Sequence, residues 1–294
     1  MNKKIFRYFS LVLAILLVVT FIPMSGVQAA SKKGWVKKKG YKYYYSEDGK
    51  MQTGFTKVGK DTYYFTPKAI KAKYKGKSVT IAPKGSMLKG WYKIKKKYYY
   101  FDRNSGKLAV NKTVDSIKTD KKGAAKSSDH NMKKINLMIL AREKMQCLTK
   151  ASDSKEAKRR ACFDYCKSIS YIGYHFLKNE RSKSDWDIIF ASDVLDPTVH
   201  SAPGGECTAM ACTFAYMAHE CGYKTVYVVD DDPSLKGDNH SWVEIDGKIF
   251  DSLFARTSGK GGDGANYNAD YSGGDTGHIR INTRDISTGK ETHK

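Results

Sequence analysis

The second half of this 294-residue chain holds three residues that together can cleave or exchange an amide: Cys207, His240 and Asp251. A thiol attacks the carboxamide carbon. An imidazole takes the thiol proton and returns it to the leaving amine, and a carboxylate fixes the imidazole's tautomer. Cys207 follows Gly204-Gly205-Glu206 and opens a run, Thr208 to Glu220, that is apolar nearly all round and stops at Gly222. That run predicts a buried helix with Cys207 at its N-terminal end. Unpaired N–H groups and the helix dipole favour negative charge there, so a lowered thiol pKa is expected. The backbone N–H of Cys207 is one candidate oxyanion donor.

His240 and Asp251 have to be joined by a hairpin. Asp246-Gly247 is a two-residue turn, which sets Ile245 opposite Lys248 and Trp242 opposite Asp251. In that register His240, Trp242, Asp251 and Leu253 share one face, while Val243 and Phe250 point the other way into a core. His240 and Asp251 become diagonal neighbours. Trp242 becomes a wall on the substrate side. Further out, periodicity predicts helices over 132–147 and 154–167, and a short apolar segment over 185–190. Residues 225–229 read as a strand, 258–277 as a long Gly-, Asp- and Asn-rich loop, and 278–281 as a last strand.

Gly205-Glu206-Cys207, the segment Asn239 to Glu244 and the segment Asp246 to Asp251 resemble the transglutaminase-like core. The order Cys, His, Asp and the upstream helix running to Tyr171 match as well, over residues 132–256. The resemblance implies an α+β fold of the papain-like type and a Cys207–His240–Asp251 triad. Members of that family include cross-linking enzymes, proteases, other amidases and inactive proteins. Three readings follow: cysteine acyl transfer through a thioester on carboxamide or peptide bonds, hydrolysis by the same triad, and a non-catalytic surface protein with a relic site. The intact triad favours the first two, with a protein or peptide as substrate.

The first half is built differently. Residues 1–29 read as a signal peptide, with Lys3, Lys4 and Arg7 ahead of the apolar run 11–22 and a cut after Ala29. No later stretch is apolar for long enough to span a membrane. Residues 30–112 contain imperfect repeats: Gly34-Trp35 with Tyr43-Tyr44-Tyr45, Gly54-Phe55 with Tyr63-Tyr64-Phe65, and Gly90-Trp91 with Tyr98-Tyr99-Tyr100-Phe101. An insertion over 68–83 interrupts the second. Each unit reads as an aromatic β-hairpin that needs its neighbours to cover it. The pattern resembles the cell-wall-binding repeats, of choline- and glucan-binding type, of Gram-positive surface proteins. That resemblance implies wall-ligand contacts at Trp35, Tyr44, Tyr64, Trp91 and Tyr99. Residues 113–131 read as a linker to a domain over 132–294.

Charge separates the halves. Residues 31–126 carry 26 Lys and one Arg against six acids, so nearly all of the net +22 lies there. In an exported chain such a module suits an anionic wall polymer, teichoic acid or glycan, rather than nucleic acid. The expected location is secreted and wall-associated, with retention resting on the repeats because the chain ends in polar Thr292-His293-Lys294. All six cysteines lie within residues 132–294, and a free Cys207 leaves five, an odd number that cannot pair completely. His175, His200, His219 and His278 lack a paired context and read as structural or exposed. No zinc-like ligand spacing, calcium loop or phosphate-binding Gly-Lys-Ser/Thr loop is present, so neither metal nor cofactor is expected.

Overall fold

A computed structural model describes residues 33–237, 239–271 and 277–294. The signal peptide read over 1–29 lies outside them. Two regions appear, a hairpin-repeat β module and a mixed helical and β region, which together make an α+β chain.

The β module is a stack of antiparallel hairpins. These are β1 (Gly34–Lys38) with β2 (Tyr41–Tyr45), β3 (Gly54–Val58) with β4 (Asp61–Phe65), and β5 (Ile70–Tyr74) with β6 (Lys77–Ala82). β7 (Gly90–Ile94) with β8 (Lys97–Phe101) and β9 (Thr113–Val114) with β10 (Ile117–Lys118) complete it. The insertion over 68–83 is thus a hairpin of its own. Cross-strand pairing sets Trp35 opposite Tyr44, Phe55 opposite Tyr64 and Trp91 opposite Tyr100. Backbone bonds link one unit to the next: Met87 N–H donates to the Lys42 carbonyl and Leu108 N–H to that of Thr62, each at 2.8 Å. A lone hairpin is marginal in water, and this stacking covers the aromatic faces.

The stretch read as a linker is folded. Residues 113–118 form β9 and β10, and Ala125 N–H donates to the Tyr98 carbonyl at 2.8 Å. Trp91, Tyr98, Tyr100, Ala109 and Ile117 join the same core as the helices that follow. A stretch poor in aromatics still folds here because it closes the last repeat onto that core.

Among the described residues the first helices are α1 (Asp129–Leu148), α2 (Lys155–Lys167), α3 (Leu177–Glu180) and α4 (Trp186–Leu195). The Ser128 and Ser154 hydroxyls cap α1 and α2 by accepting backbone N–H bonds at 3.2 and 3.1 Å. The next helix, α5 (Cys207–Glu220), is buried along every residue. It lies in the middle of the core, where Met210, Phe214, Tyr216 and Met217 are almost completely enclosed. Each such side chain contributes about 1.5–3 kcal/mol of burial.

Against α5 lies a six-stranded antiparallel sheet in the order β14 (Tyr267–Ala269), β13 (Lys248–Phe250), β12 (Ser241–Ile245), β11 (Tyr227–Asp230), β15 (Asn282–Asp285), β16 (Glu291–His293). Val243 and Phe250 face the helices, whereas Val229, Trp242 and Ile249 cluster on the opposite face. Two expectations change. The loop over 258–277 contains a short helix, α6 (Gly262–Asn266), and strand β14. The last strands are 282–285 and 291–293 rather than 278–281, so His278 is free of the ladder and can turn inward. Among the described residues, no helix is long and apolar enough to cross a membrane.

Candidate functional site

The turn at Asp246-Gly247 fixes the register: Ile245 pairs with Lys248 and Val243 with Phe250. Asp251 therefore leaves β13 beside the entry to β12. There its Oδ2 accepts a hydrogen bond from Nε2 of His240. Asp251 Oδ1 accepts the backbone N–H groups of Leu253 (3.0 Å) and Phe254 (2.9 Å), which locks the carboxylate in place. His240 is held from three further directions. Its backbone N–H donates to Asp231 Oδ1 at 2.9 Å. Phe254 stacks flat on the imidazole, with centroids 3.8 Å apart and planes 4° apart, and Trp242 stacks on it at 6.1 Å.

Cys207 is delivered by a tight approach. A Cβ on Gly205 would fall 2.2 Å from the Ala209 Cβ, which excludes a side chain there, and one on Gly204 would fall 2.5 Å from the tip of Ile172, which would have to move. Ser170 bridges Gly204 in parallel. The thiol lies 3.8 Å from the carbonyl oxygen of Asn239, the residue before His240. Its nearer partner is Glu206, whose Oε2 accepts the S–H at 2.8 Å and also the Thr208 N–H at 3.0 Å.

The expected low thiol pKa is not what this arrangement produces. Burial, and then the Glu206 carboxylate, push the Cys207 thiol well above its ordinary value. The Ser241 N–H and Thr208 hydroxyl oppose this only in part. A helix end is worth up to about 2 kcal/mol, which desolvation of a nearly enclosed thiolate exceeds. Glu206 is itself raised, by burial first. For Asp251 the balance runs the other way. Burial opposes ionisation, but the bonds from His240 and His278 outweigh it and hold the carboxyl below its ordinary value.

Sequence reasoning missed His278, which donates from Nε2 to Asp251 Oδ2 at 2.8 Å and meets the Trp242 ring edge-on at 4.7 Å. Asp251 thus serves two imidazoles. Trp242 is nearly fully buried, and its indole N–H donates to the Tyr271 hydroxyl at 3.0 Å, which in turn donates to Glu244 at 2.8 Å. It supports the back of the site rather than forming an open wall. The other histidines also have partners. His175 Nδ1 and His200 Nε2 both reach buried Asp193, at 2.8 and 2.9 Å, and tie the loops flanking the Gly204 approach. His219 bonds Asp115 at 2.8 Å. His240, Asp251 and His278, and likewise His175, Asp193 and His200, place metal-competent donor atoms within 4.8 Å of one another. In both clusters the carboxylate is already engaged by imidazole hydrogen bonds.

The repeats present two open aromatic corners. Trp35 meets Tyr44 at 5.2 Å and Tyr63 at 5.0 Å, both edge-on. Phe55 meets Tyr64 at 4.9 Å and Tyr99 at 5.1 Å, also edge-on. Trp35 is 44% exposed and Phe55 46%. Tyr99 therefore closes the corner of the preceding unit, while Tyr100 occupies the place equivalent to Tyr44. Trp91, expected to touch ligand, is 0% exposed. Its indole N–H donates to Asp115 at 2.8 Å, and the Arg103 guanidinium lies 5.2 Å over Tyr100. A cation of the chain itself fills that third corner, because the helical region packs over it.

Known proteins resemble the first of these two regions. A choline-binding repeat model matches residues 72–112, and a cell wall binding repeat model matches residues 33–51. Among solved structures, a choline binding domain from Streptococcus pneumoniae is 28% identical, with a TM-score of 0.25, over 33% of this chain and 99% of that one. Choline binding protein F of the same organism is 28% identical, with a TM-score of 0.16, over 33% of this chain and 34% of its own. The modular autolysin LytC of that organism, solved with a synthetic peptidoglycan ligand, is 16% identical, with a TM-score of 0.15, over 32% of this chain and 28% of its own. The chain thus spans about a third of the length of the larger proteins it matches. No curated protein sequence matches the chain. The first region carries cell-wall-binding repeats of the choline-binding type, matched over residues 33–51 and 72–112.

Proposed function

We propose that the protein is exported and docks on the cell wall through these repeats, taking a quaternary ammonium or similar cationic group of a wall polymer in its aromatic corners. The observation that carries this reading is the pair of aromatic corners, Trp35–Tyr44–Tyr63 and Phe55–Tyr64–Tyr99, each led by a half-exposed ring, in a module matched by a cell wall binding repeat over 33–51 and a choline-binding repeat over 72–112. Faces of Trp and Tyr attract a desolvated ammonium by about 0.5–2 kcal/mol each, so two corners give affinity by multivalency. Sedimentation with purified walls tests it. The full chain pellets, free choline releases it, and Trp35→Ala with Phe55→Ala leaves it in solution. Pelleting of the double variant would refute the corners.

A second reading concerns the other region. The His240–Asp251 bond beside a buried Cys207 at a helix start supports a transglutaminase-like cysteine acyl transfer or amide hydrolysis. His240 Nε2 faces Asp251, leaving Nδ1 as the atom that would take the thiol proton. The thiolate would attack a carbonyl and release an amine protonated by His240. An amine or water would then resolve the thioester. For this to run, substrate has to draw the S–H away from Glu206. Incorporation of a fluorescent amine, measured against peptide hydrolysis, separates the two outcomes. Neither activity in the wild type, or equal activity in Cys207→Ala, leaves the wall-binding protein alone.

A further inference from the structure

A cleft of about 460 Å³ lies where the first hairpin meets the turn between α1 and α2. Gly40 lines it, and its missing Cβ would sit 2.4 Å from the Ser152 nitrogen; with φ at +81°, no other residue fits there without strain. Seven cationic side chains and two carboxylates line it. Of the two carboxylates, Glu220 is paired with Arg103 on the same lining at 2.6 Å, and Asp153 accepts the Lys150 backbone N–H at 2.7 Å. Arg142 is committed too, to the Trp91 carbonyl and the Tyr92 ring face.

Five lysines are left: Lys150, in the turn after α1, and four that converge from other elements. Lys37 and Lys42 are directly opposed across β1 and β2, where like charges repel. Lys89 precedes β7, and Lys158 comes from α2, donating to the Ala151 carbonyl at 3.2 Å. Among the described residues none of the four closes an ion pair with a carboxylate, and Lys89 has one in its field, Asp102. Burial first, then Lys42 and Lys158 and, more weakly, Lys37, hold the Lys89 ammonium below its ordinary pKa against the opposing charge of Asp102, which places Lys89 in the field of the other three. Positive charge gathered from three elements into a partly enclosed space costs stability unless an anion joins it.

We infer that this cleft binds a phosphate group carried on a polymer, clamped between the first repeat and the helical region. Ammonium groups arriving from several directions suit a tetrahedral anion with several oxygens better than a planar carboxylate, which favours the forked guanidinium. The volume holds more than a lone ion and fits a short oligomer segment. The inference deepens the wall-docking reading, which supplies the polymer, yet it concerns residues distinct from the aromatic corners.

The test uses the full chain, titrated calorimetrically with sodium tripolyphosphate, with a glycerol-phosphate oligomer and with polyglutamate. The two phosphate probes saturate near one per chain, and polyglutamate binds at least tenfold more weakly. Lys42→Gln with Lys89→Gln weakens phosphate binding about tenfold or more, as expected for lost charge-assisted contacts. Lys71→Gln with Lys73→Gln, on β5 outside the cleft, removes the same charge and leaves affinity within twofold. Melting without anion gives a second readout: the cleft variant is at least as stable as wild type, because repulsion is relieved, and phosphate raises its melting temperature less. Equal losses in both double variants would mean a diffuse basic surface and overturn the inference, as would tight polyglutamate binding or a cleft variant that melts well below wild type. Wall sedimentation of the cleft variant keeps the readings apart. A cleft variant that pellets with walls and binds phosphate normally sinks the cleft alone, whereas a Trp35→Ala, Phe55→Ala variant that still pellets and binds phosphate sinks the corners alone.

Discussion

Replacing Glu206 by Gln is expected to make Cys207 more reactive. In the structure the Glu206 carboxylate accepts the thiol proton at 2.8 Å inside a nearly enclosed site, and its charge opposes a neighbouring thiolate. Gln keeps an oxygen for the Thr208 N–H, so the helix cap survives. A charge-assisted hydrogen bond is worth about 1.5–3 kcal/mol, which is about one to two pKa units. The thiolate fraction below the pKa would rise about 10- to 100-fold. Intrinsic nucleophilicity falls as pKa falls, with a coefficient of about 0.4–0.5, so the net gain in rate is about three- to tenfold. The assay is iodoacetamide alkylation between pH 6 and 10, resolved by mass spectrometry for each of the six cysteines. Wild-type Cys207 labels slowly at neutral pH and speeds up as pH rises. Glu206→Gln shifts that profile to lower pH, and His240→Ala removes whatever component persists below pH 8. Slower labelling in Glu206→Gln would refute the reasoning, because the carboxylate would then act as a base for the thiol.

The remaining predictions are simpler. Asp251→Asn loses the anion that accepts from His240 and His278 and costs about 1–3 kcal/mol at pH 7 by denaturant titration. The Asp251 carboxyl is held below its ordinary value, so its contribution is complete above about pH 4 and fades as pH falls through the folded-state pKa; the gap between variant and wild type therefore closes on acidification. Arg103→Met leaves Asp115 and Glu220 buried without their cation and costs about 3–5 kcal/mol, seen by calorimetry as a melting temperature lower by about 10 °C. Trp35→Ala lowers choline affinity about three- to thirtyfold with an unchanged melting temperature, measured by fluorescence titration. Trp91→Ala, at the equivalent place in its repeat, instead lowers stability by about 3–5 kcal/mol.

These contrasts separate what the chain writes locally from what packing imposes. A two-residue turn and a period of two suffice to bring His240 to Asp251, because register within a hairpin is fixed by the turn alone. Gly204-Gly205 before Cys207, and the apolar run behind it, likewise place the thiol at the start of a buried helix. The repeats are legible because Gly, an aromatic and an aromatic triplet recur at a set spacing. Their equivalence ends there: Trp35 and Trp91 share one local motif, yet one is open and the other sealed. The difference comes from the helices that cover the last repeat, and that contact joins residues over a hundred positions apart, as in the bond from Arg103 to Glu220. His278 reaches Asp251 from 27 residues away, with no period to announce it. The sign of the Cys207 shift also belongs to the tertiary structure. The helix end and its dipole follow from sequence neighbours, whereas desolvation depends on everything packed around the sulfur, and here desolvation is the larger effect.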